Sequence, residues 1–461
     1  MTWVDDETAP LLTDLYGLTM LHSYFEEGME DQAVFSLFVR QLPGARRFLL
    51  ACGLEDALQY LERLHFGERA LEQVAALGLF SGSFLERLAH LRFTGDVWAV
   101  PEGTPVFAGE PLLEVRAPLP EAQIAESFLM NAVHVQTLIA SKAARVVLAA
   151  EGRTVMDFGL RRMHGADAGL KGARAMYVAG VNTTSDVLAG STYGIPVAGT
   201  MAHSYVQAHP DELSAFRAFT RAYPRSILLV DTYDTLEGVE NVVRLARELG
   251  DRFEVRGIRL DSGDLLELSR AARARLDRAG LSNLEIFASG GLDEHRISRL
   301  LSAGAPIQGF DVGTAMGVSS DAPSLDLAYK LVWYAGEPRL KLSPGKRLLP
   351  GQKQVFREEE RGAAVRDTVA LAGEDRPGRP LLHQVMRAGR RLLDPEPLDA
   401  IRTRAREQIG RLPAPLRRIS GAASWYPVRA SAALLAESDR LTARHQPSRP
   451  APAELDGPPP R

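Results

Sequence analysis

Cysteine is almost missing from this chain: Cys52 is the only one in 461 residues. That excludes an intrachain disulfide framework and a cysteine-rich zinc site, and it fits a reducing compartment, with Cys52 expected as a small core residue. Long apolar runs are missing too. No stretch of about 18 uninterrupted apolar residues occurs, and the acidic opening MTWVDDETAP lacks the basic-then-apolar order of a secretory leader. Nor does one sign of charge dominate. There are 54 basic and 58 acidic residues, a formal net charge of -4, so neither nucleic acid nor a membrane is expected as a partner. The absence of a GxxxxGK[ST] loop argues against an ordinary P-loop nucleotide site. These exclusions leave a soluble, cytoplasmic globular protein of two or three domains.

Residues 11–25, LLTDLYGLTMLHSYF, carry apolar side chains at helical spacing behind the candidate caps Thr13 and Asp14. An amphipathic helix is predicted, with Tyr16 in its first turns. AVFSLFVRQLPG alternates like a strand up to Pro43, with Arg40 near its end, and residues 53–92 read as helices. Residues 93–120 break into strand-length pieces at Pro-Glu-Gly and Ala-Gly-Glu-Pro, so 1–120 is read as an α+β domain. A long helix from about Glu121 to Ala150 leads into a strand–helix rhythm that lasts to about residue 330. Three of its helices are expected to stop at Gly250, Gly280 and Gly304. Residues 331–440 read as strands with turns that partly return to the N-terminal domain, then an arginine-rich helix around IRTRAREQIGRL. Its interspersed acids and lack of interleaved aromatics suit a solvated face, not an RNA surface. The proline-rich tail 441–461 is expected to be disordered.

The rhythm carries the chemistry. TVMDFGLRR, GIPVAGTMAHS, SILLVDTYD, EVRGIRLDSGD, LEIFASGG and QGFDVGT are short apolar stretches with polar or glycine-rich tips. They recur roughly every 30 residues, the length of a strand, a helix and two loops. Parallel strands joined by helices form an α/β sheet or barrel whose ligands bind at the C-terminal strand ends, so Arg161, His203, Asp231, Asp261, Gly290 and Thr314 are expected on one rim. Arg161, Arg162 and Arg259 supply fixed positive charge suited to phosphate or carboxylate. Ser289-Gly290-Gly291 and Gly313-Thr314 offer backbone N–H groups for a phosphate. Asp261 and Asp264 suit ribose hydroxyls or a hydrated Mg²⁺, or else a turn and helix cap before LLELSRAARA. His203 is either a structural imidazole or a nucleophile toward a phosphoryl group. Tyr16 and Phe158 are core aromatics or faces for a planar heterocycle.

In this order the motifs resemble those of the nicotinate phosphoribosyltransferases, type II phosphoribosyltransferases whose relatives include nicotinamide and quinolinate enzymes. The resemblance runs through LLTDLYGLTM, FVRQLPG, PEGTPVFAGEPLLEV, DFGLRR, TSDVLAG, YGIPVAGTMAHS, GIRLDSGD, FASGG and FDVGT; GTMAHS and RLDSGD are its most specific parts. It implies an irregular α/β barrel with an α+β N-terminal domain, and a homodimer in which each N-terminal domain faces the partner's barrel. The pyridine ring would stack between Phe158 and Tyr16 of the partner subunit. The residue matching His203 would be phosphorylated by ATP, driving formation of nicotinate mononucleotide and pyrophosphate from nicotinate and phosphoribosyl pyrophosphate, with Mg²⁺ and cationic groups stabilising the leaving charge. Thr200 and Arg259 fall where the family contacts nicotinate. Arg161, Asp261, Gly290, Gly291, Gly313 and Thr314 fall where it holds the phosphoribosyl group; Ser204 and Ser289 join the substrate-binding set, and Arg40 is expected to reach a neighbouring active site. Asp186, in TSDVLAG, departs from the pattern, since a carboxylate there would repel nicotinate and accept a hydrogen bond from nicotinamide, unless it caps the next helix. The alternatives are therefore a nicotinamide phosphoribosyltransferase or a non-catalytic phosphosugar-binding protein.

Overall fold

The computed structural model describes residues 4–343, 348–421 and 425–445. Most of the proline-rich tail, 446–461, lies outside the described residues, whereas 441–445 complete the helix Ala432–His445. Two compact units emerge. One runs Ile139–Pro323 and takes in a short return beginning at Arg417; the other comprises the remaining described residues. The helix Glu126–Ala149 carries the chain from one unit to the other.

The first unit is built on a seven-stranded sheet ordered Glu337–Pro338, Leu327–Tyr334, Gln32–Val39, Pro111–Pro118, Asp96–Ala99, His383–Arg387 and Arg390–Arg391, antiparallel throughout. Gln32–Val39 lies between two long neighbours, and every residue after Gln32 is buried. Leu327–Tyr334 and His383–Arg387 belong to this sheet, which is why the chain beyond the barrel is part of the first unit. The region 53–92 forms the helices Leu54–Arg63, Glu68–Ala76 and Gly82–His90, whose apolar stripes join the same core. Phe35 stacks on Tyr329 at 4.8 Å, and the Tyr329 hydroxyl donates to the Ala122 carbonyl at 2.8 Å.

The second unit is an irregular α/β barrel. Its six strands form a curled parallel sheet ordered Thr183–Thr184, Thr154–Asp157, Gly309–Val312, Glu285–Ala288, Gly257–Leu260 and Ile227–Leu229. The intervening helices Thr235–Leu249, Leu265–Arg278 and Glu294–Ser302 end next to the three expected glycines. GIPVAGTMAHS differs from expectation in forming no strand, only a parallel bridge from Val197 to Thr184. Pro196 has no N–H to donate to a ladder, and the two-residue strand Thr183–Thr184 takes the edge position. No helix among the described residues is long and apolar enough to cross a membrane.

A buried ion network anchors one barrel helix. Glu294, the first residue of Glu294–Ser302, has no exposed surface and accepts from Lys142 Nζ at 2.6 Å and Arg145 Nε at 2.9 Å. Lys142 also pairs with Asp321 at 2.7 Å. Three formal charges taken from water are tolerable here because each meets an opposite charge at hydrogen-bond distance.

Candidate active site

Alternate side chains of a strand point to the same face of its sheet. Leu229, Arg259, Phe287 and Gly309 stand in register across four parallel strands. Two residues further on, Asp231, Asp261, Ser289 and Asp311 therefore rise side by side toward the C-terminal ends. Hydrogen bonds join the first three of them. Asp231 Oδ2 accepts from the Asp261 backbone N–H at 2.9 Å and from Ser262 Oγ at 2.6 Å. Asp261 Oδ1 accepts from Ser289 Oγ at 2.5 Å.

The other carboxylate oxygen of Asp261 lies 3.8 Å from His203 Nε2, and His203 Nδ1 is 3.1 Å from Thr232 Oγ1. The imidazole thus has a hydroxyl on one nitrogen and a carboxylate facing the other. His203 opens the short helix His203–Gln207, with Ser204 exposed beside it. Half-buried Thr200 reaches the Met201 carbonyl only at 3.5 Å. That carbonyl also accepts from Arg259 Nη2 at 2.9 Å, which ties GTMAHS to the strand Gly257–Leu260.

Arg259 is buried, with its guanidinium 5.5 Å from the Phe158 ring centroid and Nη1 3.8 Å from Asp311 Oδ2. Phe158 packs against Met156, Ile227 and Phe287. Asp311 is buried, and neither of its side-chain oxygens has a hydrogen-bond partner. Burial pushes its carboxyl up to about 7 against the pull of Arg259, and the Asp261 charge adds to the rise. On the opposite face of the neighbouring strand, Asp157 accepts from Gly159 N and Thr184 Oγ1, both at 2.7 Å. Burial raises the Asp157 carboxyl too, while these two donors hold it down.

The glycine-rich tips sit on the same rim. Gly290 adopts φ +80° with its Cα close against the Asp261 carbonyl, and Arg296 Nη1 donates to the Gly290 carbonyl at 2.9 Å. Gly313 precedes the short helix Thr314–Gly317, and Phe158 N donates to the Val312 carbonyl at 3.0 Å, which brings Gly313 beside Phe158. Arg161 and Arg162 are exposed on the 3-10 turn Leu160–Arg162.

The two readings of Asp261-Ser262-Gly263-Asp264 divide between its carboxylates. Asp264 caps the helix through Leu266 N and Glu267 N at 3.0 and 3.3 Å, while Asp261 faces Ser289 and His203. Asp186 is a cap as well: its Oδ1 accepts from Leu188 N at 2.9 Å and Ala189 N at 3.2 Å. Tyr16 and Arg40 belong to the first unit, where they line a cavity of about 590 Å³ with Asp14, Glu126, His134 and Lys330. Partial burial, with Glu126 nearby, pushes the Tyr16 phenol up to about 12. Arg40 pairs with Asp326 at 2.6 Å.

Thr232, Asp157 and Asp311 were not singled out from sequence, and Asp231 was noted only as a strand tip. The signal for three of them is present, an aspartate directly inside or after an apolar strand in TVMDFGLRR, QGFDVGT and SILLVDTYD. A carboxylate there must be paired, protonated or functional. Among the described residues no group of three or more His, Cys, Asp or Glu side chains is arranged to hold a metal ion. The arrangement offers an aromatic face beside a buried guanidinium, an imidazole between carboxylate and hydroxyl, and glycine-rich strand ends suited to anions.

Comparison with known proteins places this geometry. Residues 11–134 match the family described as nicotinate phosphoribosyltransferase (NAPRTase) N-terminal domain, and residues 154–329 match the nicotinate phosphoribosyltransferase (NAPRTase) family. The nicotinate phosphoribosyltransferase pncB2 of Mycobacterium tuberculosis is 54% identical over 432 residues, covering 94% of this chain and 93% of the relative. The nicotinate phosphoribosyltransferase of Bacillus subtilis is 42% identical over 360 residues, covering 76% and 74%. The crystal structure of human nicotinic acid phosphoribosyltransferase superposes with a TM-score of 0.82 at 30% identity, covering 93% of this chain and 99% of that one.

Proposed function

This chain belongs to the nicotinate phosphoribosyltransferase family, and from that premise we propose that it joins nicotinate to phosphoribosyl pyrophosphate, with hydrolysis of ATP coupled through a phosphate carried on His203. One observation carries the reading: Asp261, Asp231 and Ser289 form one hydrogen-bonded rim with His203 Nε2 facing Asp261, and Phe158 and Arg259 stand beside it.

In this reading the pyridine lies against Phe158 with its carboxylate toward Arg259 and Thr200. The ring nitrogen attacks the ribosyl carbon as the bond to pyrophosphate breaks, through an oxocarbenium-like centre that Asp261 stabilises by its negative charge. Arg161 and the backbone N–H groups around Gly290, Gly291, Gly313 and Thr314 hold the phosphates, with Ser204 and Ser289 completing the pocket. Asp231 Oδ1 is buried without a hydrogen-bond partner, and it stands beside Asp261. That donor set fits a Mg²⁺ that keeps most of its shell as water and phosphate oxygens. Asp231 and Asp261 would hold the ion, which neutralises the charge of the departing pyrophosphate.

The ATP step asks Nε2 of His203 to attack the terminal phosphorus while the bond to ADP breaks. The imidazole proton then stays on Nδ1, which donates a hydrogen bond to Thr232 Oγ1, and Asp261 offsets the positive charge of the phosphorylated ring. Asp186 is read as a helix cap and not as a base selector, which supports nicotinate over nicotinamide. The enzyme is further read as a cytoplasmic homodimer, with Tyr16 and Arg40 of one subunit completing the site of the other. The test is direct. Purified protein given phosphoribosyl pyrophosphate, Mg²⁺ and ATP should convert nicotinate to its mononucleotide with higher kcat/KM than nicotinamide. Lack of product from both bases would refute the activity, and a preference for nicotinamide would refute the base assignment.

A further inference from the structure

Asp311 has no part in the transfer as described, yet its charge is left without a hydrogen bond inside the barrel. Both of its oxygens are buried without a hydrogen bond, on the strand Gly309–Val312. Its nearest cation, Arg259 Nη1, stays 3.8 Å away, and the Nε of the same guanidinium is also buried without a hydrogen-bond partner. A carboxylate and a guanidinium this close ordinarily close into a direct bidentate pair. Here each keeps hydrogen-bonding capacity in reserve beside the face of Phe158.

We propose that Asp311 sets the charge of the base subsite, taking up a proton when a pyridine carboxylate binds Arg259 and staying ionised when a pyridine carboxamide binds there. The proposal rests on the base lying against Phe158 and Arg259. The physical reason is local charge balance. With Asp311 ionised, Arg259 is already neutralised and an incoming carboxylate meets a second one. With Asp311 protonated, the full positive charge of Arg259 is available, and the new carboxyl O–H is a donor. The proton comes from solvent and bonds to one carboxylate oxygen, and it returns on release of the base.

The surroundings contain little else that titrates. The charged groups acting on Asp311 are Arg259 and Asp261, from the strand Gly257–Leu260 and its tip. Asp261 is itself faced by His203. The strand Glu285–Ala288 and its tip contribute Phe287 and Ser289, and the strand Thr154–Asp157 sets Met156 in register with Asp311. Asp157 pairs in register with Val312 and so faces away. Burial pushes the Asp311 carboxyl up to about 7 in the free protein, inside the range where the enzyme can be assayed.

Two measurements on the full-length protein test this. The KM for nicotinate should rise above pH 7 with a limiting slope of about tenfold per pH unit, as expected for one required proton, while the KM for nicotinamide should not. In Asp311→Asn, which keeps the shape and a hydrogen-bond donor without the ionisation, the pH slope of the nicotinate KM should vanish. Independently of that variant, calorimetric titration of the wild-type protein with nicotinate in Tris and in HEPES should show proton uptake approaching one per nicotinate above the transition. An unchanged slope in Asp311→Asn, or binding without proton uptake, overturns the role of Asp311 and leaves the base site standing. Failure of the wild-type protein to bind or convert nicotinate overturns both.

Discussion

Replacing Gly290 with alanine should cripple turnover while leaving the barrel folded. Gly290 sits at φ +80°, and a Cβ there would overlap the carbonyl oxygen of Asp261, far inside the 3.0 Å that real Cβ atoms keep. The left-handed backbone alone costs a residue with a side chain about 1–2 kcal/mol. The clash cannot be relieved by rotating a side chain, because the obstructing atom is backbone. Either Gly290 or the Asp261 strand end must withdraw, and a displacement of about 1 Å at reacting groups costs on the order of a hundredfold in rate. Asp261 is bound to Ser289 next door and faces His203, so the shift is transmitted to both halves of the proposed chemistry. Steady-state kinetics with varied phosphoribosyl pyrophosphate should show kcat/KM reduced about a hundredfold, equivalent to about 2.7 kcal/mol. Circular dichroism and a cooperative melt serve as the folding control. A folded Gly290→Ala protein within threefold of wild-type kcat/KM would show that the Asp261–Gly290 contact does not position the site.

Three further outcomes are expected. His203→Ala should lose ATPase activity and the ATP-dependent stimulation of transfer while keeping some ATP-independent product; coupling that survives the substitution rules out a phosphate on His203. Glu294→Gln removes the carboxylate that Lys142 and Arg145 share in their buried network, and denaturant unfolding should report a loss of about 3–5 kcal/mol; a loss below about 1 kcal/mol would mean that water reaches the pair. Asp186→Asn should keep the helix cap and the base preference, whereas Asp186→Ala should lose about 1 kcal/mol of stability; a switch of preference in the asparagine variant would restore Asp186 as the base selector.

Much of the architecture could be read directly from the chain, because strand tips and helix-ending glycines are local signals. The helices ending beside Gly250, Gly280 and Gly304 are examples. GIPVAG forms no strand for an equally local reason: its proline removes the ladder donor, and the edge strand forms instead at Thr183–Thr184. Asp261 and Asp264 show the limit of spacing as a guide. The chain contains both carboxylates, but only the turn at Ser262-Gly263 decides that one caps a helix and the other faces His203.

What the sequence determined by itself was the set of chemical groups and their order along the chain: GTMAHS, RLDSGD, FASGG and FDVGT at the ends of apolar runs, and with them the family. Those signals survive without coordinates because alternation and helix stops depend on neighbours a few residues away. Only the tertiary structure decided which groups share a charge environment. Parallel register sets Asp311 beside Arg259 across the intervening strand Glu285–Ala288, and burial there raises the carboxyl. Burial and electrostatic coupling are properties of packed neighbours distant in the chain, so an aspartate in QGFDVGT carries no sign of its protonation until the sheet is assembled.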